Sequence, residues 1–234
     1  VFSGDEALTL SELHRRTGLA RSRIIRIAGT LAAKGYLEYA EPTKTFRLGL
    51  KLFRLGDWLS DRFRTQADFV RPSLERLAMA SGNTAFYSII QGDRRLVVAK
   101  AESKEGIRFY IEEGDSRPLH KGATGLVLLA NLAPDIAEKL VTELMAEQDS
   151  SIVADQLLRE LSVIKRNGYC ESCGAVTPHG FAICVPLRVF RGGKDHYDAL
   201  TIAGPLAKLD PGSSAAYREM LLTEKHRLER GVGA

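Results

Sequence analysis

Residues 8–48 place a helix-start signal, a tight turn, a second helical period and two strand-prone runs end to end, and few folds accept that succession. Thr9-Leu10-Ser11-Glu12 is a capping box, in which the threonine hydroxyl and the glutamate carboxylate take up exposed amides of the first turn. The helix it starts is short, reaching Arg16, because Thr17-Gly18 supplies a tight turn. From about Arg21, the apolar residues Ile24, Ile27, Ala28 and Leu31 recur at helical spacing until Gly35, so these four are expected to face inward. Tyr36-Leu37-Glu38-Tyr39 and Thr45-Phe46-Arg47-Leu48 then flank a polar tip, Ala40-Glu41-Pro42-Thr43-Lys44, as a hairpin does. Helix, turn, helix and hairpin make a winged helix-turn-helix.

In that arrangement the second helix enters the major groove, so the face opposite its core stripe must be polar, basic or small. Here that face carries Ser22, Ile25, Arg26 and Gly29, with Arg21 and Arg23 at the helix start. An arginine there can grip a guanine edge or a phosphate, and Ile25 can pack on a thymine methyl. Lys44 and Arg47 on the wing are expected at the DNA backbone or the minor groove. Charge agrees: residues 1–65 hold 12 Lys and Arg against 7 Asp and Glu, and the remainder 21 against 22. A local basic surplus draws polyanions to that part of the molecule.

An amphipathic helix follows over residues 50–63, including Leu52, Phe53, Leu55 and Leu59, and Trp58 is expected to serve in core or interface packing. Beyond it, the pattern predicts a helix through Leu74, Leu77 and Ala78, then strands at 84–91, 95–101 and near 107–111. Helices at about 123–132, 134–146 and 152–167 come next. Strands at 169–173, 181–190 and 197–203 follow, the last two joined through Gly192-Gly193, and a helix over 211–230 closes the chain. This order implies an antiparallel or mixed sheet with helices packed on it, hence an α+β protein. No apolar run approaches the roughly 20 residues that span a bilayer and no signal peptide opens the sequence, so a cytoplasmic protein without membrane contact is expected. Cys170, Cys173 and Cys184 are too few and too clustered for a secreted disulfide framework.

Several motifs, in order and across essentially the whole chain, resemble the IclR family of bacterial regulators. In the front half these are Leu8-Thr-Leu-Ser-Glu-Leu13, Thr17-Gly-Leu19, Lys34-Gly-Tyr-Leu37 and Phe46-Arg-Leu-Gly49. In the back half they are Arg71-Pro-Ser-Leu-Glu-Arg-Leu77, Pro118-Leu-His120, Gly122-Ala-Thr-Gly125, Gly168-Tyr169, Val185-Pro-Leu187 and Ala203-Gly-Pro205. The resemblance implies a winged helix-turn-helix over residues 1–49, a linker helix over 50–64 and a GAF-like α/β effector-binding domain over 65–234. It also implies a helix before the capping box, which a chain opening on Val1-Phe2-Ser3 is expected to lack. The implied partners are double-stranded DNA at a pseudo-palindromic operator, a small organic acid, and a second copy of the chain in a homodimer or dimer of dimers. Effector binding would favour one spacing of the DNA-binding heads, acting through the helix at 50–63, as repressor or activator.

For the effector, the resemblance points to Gly122, Ala123 and Thr124 at a helix start, Ser172, Ala182 with Cys184, and Thr201 with Ala203. Free amides at the helix start can receive an anion, although the glycines equally suit close packing. The family frequently has Asp, Cys and two Ser where this chain has Ser172, Ala182, Thr201 and Ala203. A less polar pocket disfavours glyoxylate or pyruvate and favours a bulkier, even aromatic, acid.

Two rival readings remain. Cys170, Cys173, His179 and Cys184 can be written as a zinc site or thiol switch, with inexact spacing for either. An enzyme is the other, with His120 as its best catalytic candidate and a structural hydrogen bond as that histidine's commoner role. No nucleophile-elbow, zinc-protease or phosphate-loop motif occurs, so neither catalysis nor a cofactor is expected.

Overall fold

A computed structural model of the chain describes residues 2, 7–103, 111–145, 151–191 and 193–231, with side chains left aside at 57, 59–64 and 151–153. It divides into two compact units, Val1–Thr65 and Gln66–Ala234.

In the first unit, β1 (Leu8–Thr9) leads into α1 (Leu10–Thr17), followed by α2 (Arg21–Ala33), β2 (Leu37–Ala40) and β3 (Thr45–Leu48). The capping box is formed: Glu12 N–H donates to Thr9 Oγ1 at 3.3 Å, and Thr9 N–H donates to the Glu12 carboxylate at 2.7 Å. Gly18, at φ +67, ends α1 by donating to His14 O. The hairpin is antiparallel with Leu37 opposite Leu48, and β1 adds a third strand beside β3. Leu8, Leu13, Ile24, Ala28, Leu37 and Phe46 form the core. At the wing tip Lys44 takes φ +53, the one non-glycine among the described residues in the left-handed region.

Two inward positions differ from the periodicity. Ile27 is 42% and Leu31 38% exposed, because they line an apolar cleft shared with Leu13, Leu19 and Leu52 rather than a closed core. The amphipathic run after the wing is likewise open, with Leu50, Phe53 and Trp58 exposed, so Trp58 is not a core residue. That run and the next predicted helix are one continuous helix, α3 (Leu50–Ser81), with Pro72 inside it.

The second unit is built on a six-stranded sheet, antiparallel at every pairing, in the order β6-β5-β4-β9-β8-β7. Its strands are β4 (Thr84–Gln91), β5 (Arg94–Ala101), β6 (Ser116–Pro118), β7 (Cys170–Cys173), β8 (Gly180–Arg191) and β9 (Lys194–Pro205). Between β6 and β7 come α4 (Gly122–Ala130), α5 (Pro134–Met145) and α6 (Ser151–Asn167). Because side chains alternate along a strand, Phe86, Ala182, Cys184, Ala199, Thr201 and Ala203 share one face, the face that the buried α4 and then α6 cover. On the other face Phe181 stacks on Tyr217 of α7 (Pro211–Gly231), and Arg76 of α3 pairs with Glu224 of α7 at 2.7 Å. The strand expected near 107–111 falls largely on residues 104–110, outside those described, as do Gly192 and the end of the 134–146 helix. Ile111 is a buried loop residue, and the short strand lies further on, at Ser116–Pro118.

Candidate functional site

On the first unit, α2 presents Arg21, Ser22, Arg23, Ile25 and Arg26 to solvent, and Lys44 and Arg47 are exposed on the wing. Ile25 is 55% exposed. The approach of α1 to α2 is held by a 2.7 Å contact from His14 Nδ1 to Leu19 O and by Arg21 Nη2 donating to Ser11 Oγ at 3.4 Å. Ala20 caps α2 without a side-chain hydrogen bond, and its carbonyl accepts from Arg23 N–H at 3.0 Å and Ile24 N–H at 3.1 Å.

On the second unit, a small cavity of about 40 Å³ lies where the start of α4 faces the sheet. Gly122, Ala123, Thr124, Ser172, Ala182 and Ala203 line it. The other two effector candidates lie beneath: Cys184 and Thr201 are fully buried, and Thr201 Oγ1 sits 3.0 Å from Thr124 Oγ1. The α4 glycines answer to packing. A Cβ on Gly125 would fall 2.3 Å from Leu119 O, and one on Gly122, at φ +75, would fall 2.7 Å from Val176 Cγ2. The amide of Ala123, offered above to an anion, already donates to Ser172 Oγ at 3.1 Å.

The strongest charge in the cavity was not among the candidates. Arg95 lies on the same face of β5 as Val97, at 4% exposure, opposite Ile90 and Ser88 on the Phe86 face of β4. Its guanidinium sits 5.6 Å from the ring centre of Phe86, and Nη2 is 3.6 Å from Asp115. Nη1 is buried with no hydrogen-bond partner among the described residues, where an unmade bond to a charged group costs upwards of about 1–3 kcal/mol. Burial pulls the Arg95 pKa down, and Asp115 opposes it. Directly opposite on β6 stands Arg117, whose Nε donates to the same Asp115 oxygen at 3.1 Å. Sequence reading missed it because Arg95 stands beside Arg94 ahead of an unbroken apolar run, Leu96-Val97-Val98-Ala99, which assigns neither arginine to the inner face.

Residues 66–228 match the family description "Bacterial transcriptional regulator IclR C-terminal", and residues 3–41 match "IclR helix-turn-helix domain". The chain belongs to the IclR family. This IclR-family regulator is 27% identical to the HTH-type transcriptional regulator BhcR of Paracoccus denitrificans, over 99% of this chain and 83% of that protein. It is 26% identical to KipR of Bacillus subtilis, over 100% and 93% respectively. It shares its fold with an IclR family regulator from Brucella abortus (TM-score 0.77, 21% identity, 97% of this chain and 85% of that one). It shares it also with an IclR homologue from Microbacterium hydrocarbonoxydans complexed with 4-hydroxybenzoate (TM-score 0.67, 21% identity, 96% and 92%).

The IclR-family regulator gives its cysteines no metal or redox setting. Among the described residues no three His, Cys, Asp or Glu side chains converge on a metal position. Cys170 and Cys184 are buried opposite one another on β7 and β8, and burial pushes both thiols up to about 12; a thiol that keeps its proton is a poor ligand and nucleophile. Cys173 is exposed on β7. His120 Nδ1 is buried with no hydrogen-bond partner among the described residues, and burial lowers its pKa. No helix among the described residues is long and apolar enough to cross a membrane.

Proposed function

We propose that this DNA-binding transcriptional regulator reads its operator with Arg21, Ser22, Arg23, Ile25 and Arg26 of α2, while Lys44 and Arg47 of the wing hold the flanking backbone. The observation that carries this is the composition of the one face of α2 that the core leaves free: three arginines, a serine and an exposed isoleucine, next to a basic wing. The start of α2, which no side chain caps, adds backbone amides and a positive helix end for a phosphate. The protein acts as a homodimer, or a dimer of dimers, on a pseudo-palindromic site, since symmetric assemblies match symmetric DNA. The exposed apolar run Leu50, Phe53 and Trp58 supports such self-association.

The cavity of the second unit takes a small organic acid of ring size. Its walls mix apolar groups with cations, and a structural relative holds 4-hydroxybenzoate. Gly122, Ala123, Thr124, Ser172, Ala182 and Ala203 form the wall around the ligand, with Cys184 and Thr201 supporting it from beneath. Effector binding shifts the population of dimer arrangements through α3, the helix common to both units.

The test of the DNA reading is selection of a binding site from random duplex, followed by titration of Arg26→Ala on that site and on unrelated DNA. Operator binding is expected to weaken by ~1–3 kcal/mol, with little change on unrelated DNA. Equal loss on both reduces Arg26 to a phosphate contact. For the effector, a thermal-shift panel of carboxylic acids is the test. An acid at a hundred times its Kd stabilises by ~2.7 kcal/mol, and a panel without a hit refutes the acid-sensing reading.

A further inference from the structure

We propose that Arg95 is the anion receptor of this cavity, with Arg117 as its second arm, so that the effector's carboxylate docks on the sheet and not on the amides at the start of α4. The inference rests on the organic-acid reading above and says where the charge of that acid is met. Like charges directly opposite on neighbouring strands repel, yet Arg95 and Arg117 occupy such a pair and share a single carboxylate, Asp115. Both arginines and Lys121 line the cavity, whereas Asp115 does not. Among the described residues the cluster therefore holds one anion fewer than its two arginines call for, and both arginines face the cavity. Arg95 Nη1 marks the place: a guanidinium nitrogen in a cavity wall, buried, with no acceptor among the described residues.

The alternative position is already filled. Ala123 N–H is engaged by Ser172 Oγ, and Val176 sits over Gly122. A carboxylate on Arg95 displaces neither, makes a charge-assisted bond to Nη1 and leaves the body of the acid beside Phe86 and Ile111. The site thus selects for a full negative charge. A primary amide of the same shape offers Nη1 only a neutral carbonyl oxygen and leaves the charge of the arginine pair uncompensated, so it binds more weakly.

The test is a thermal-shift titration of the full chain with benzoate, 4-hydroxybenzoate, phenylacetate and butyrate, each paired with its primary amide. The wild type is compared with Arg95→Met and Arg117→Gln. Acids are expected to stabilise the wild type more than their amides do, with affinity falling at least tenfold in Arg95→Met and less in Arg117→Gln. Ligand-free Arg95→Met is expected to melt no lower than wild type, because Asp115 keeps its 3.1 Å bond from Arg117 while a buried guanidinium with an unsatisfied Nη1 is removed. A lower ligand-free melt with the acid response intact makes Arg95 a strut for Asp115 and overturns the proposal, while acid sensing survives. Amides that stabilise as well as acids overturn it too. Should no acid stabilise the wild type, both this proposal and the acid-sensing reading fall. If Arg95→Met does not fold, Arg117→Gln decides, and unchanged acid affinity there counts against the proposal.

Discussion

Thr124 and Thr201 offer the sharpest measure of how α4 is held on the sheet. Their hydroxyls are 3.0 Å apart and both residues are buried, at 4% and 0% exposure. Thr201→Val keeps the shape of the side chain and removes only the hydroxyl, so no cavity opens. What is lost is one hydrogen bond, and what remains is a Thr124 hydroxyl that water does not reach. Together these cost about 1–2 kcal/mol. Thr124→Val is expected to cost a similar amount for the same reason. The double variant leaves neither hydroxyl stranded, so its cost stays close to that of one single change, with a coupling of about 1 kcal/mol. Urea denaturation of the four proteins, followed by circular dichroism, measures this cycle. Each single change also lowers Tm by about 2–4 °C per kcal/mol in a domain of this size. A double variant whose loss equals the sum of the singles to within about 0.5 kcal/mol refutes the pairing.

Gly125→Ala forces a Cβ against the Leu119 carbonyl and is expected to cost ~1–3 kcal/mol or more. Gly29→Ala on α2, where the Cβ meets nothing within 4 Å, should instead gain about 1 kcal/mol of helix stability; thermal melts of the two variants must move in opposite directions. Burial raises the Glu224 pKa, but hydrogen bonds from Arg76 and Ser73 outweigh it and hold the carboxyl below its ordinary value. Its stabilising contribution is therefore complete above the usual glutamate range and lost as pH falls through that range to the lower folded value, so Glu224→Gln should flatten the acid limb of stability against pH. In the native protein a thiol reagent should label Cys173 quickly and Cys170 and Cys184 only on unfolding; fast labelling of all three, with lost DNA binding, would revive the thiol switch.

The helix-turn-helix was legible because its signals are local. The capping box, the Thr17-Gly18 turn and the spacing of Ile24 and Ala28 lie within one or two turns of the contacts they dictate. Ile27 and Leu31 obey the same period, but burial depends on what lies opposite, and no local pattern records that. Leu8–Thr9 pairs with β3 some 37 positions away, a contact invisible to a short window. The cavity divides in the same way. Gly122 and Gly125 marked the start of α4, but the occupant of its amide, Ser172, lies 49 residues further on. Arg95 was not legible, because it stands beside Arg94 before a continuous apolar run, and its meaning depends on Asp115 and Arg117 arriving with the next strand.

The wing tip carries a longer consequence. A lysine at φ +53 costs roughly 1–2 kcal/mol that a glycine would not, so selection for stability alone would not keep Lys44 there. The left-handed turn aims a flexible cation outward from the tip of a short hairpin, and the fold gives up stability to hold it. Lys44→Gly then separates two demands that the native residue joins. It should raise the melting temperature of the isolated regulator while weakening its grip on any duplex and lowering the salt dependence of that grip by about one phosphate contact. If stability does not rise, the tip is unstrained and its lysine needs no justification from DNA.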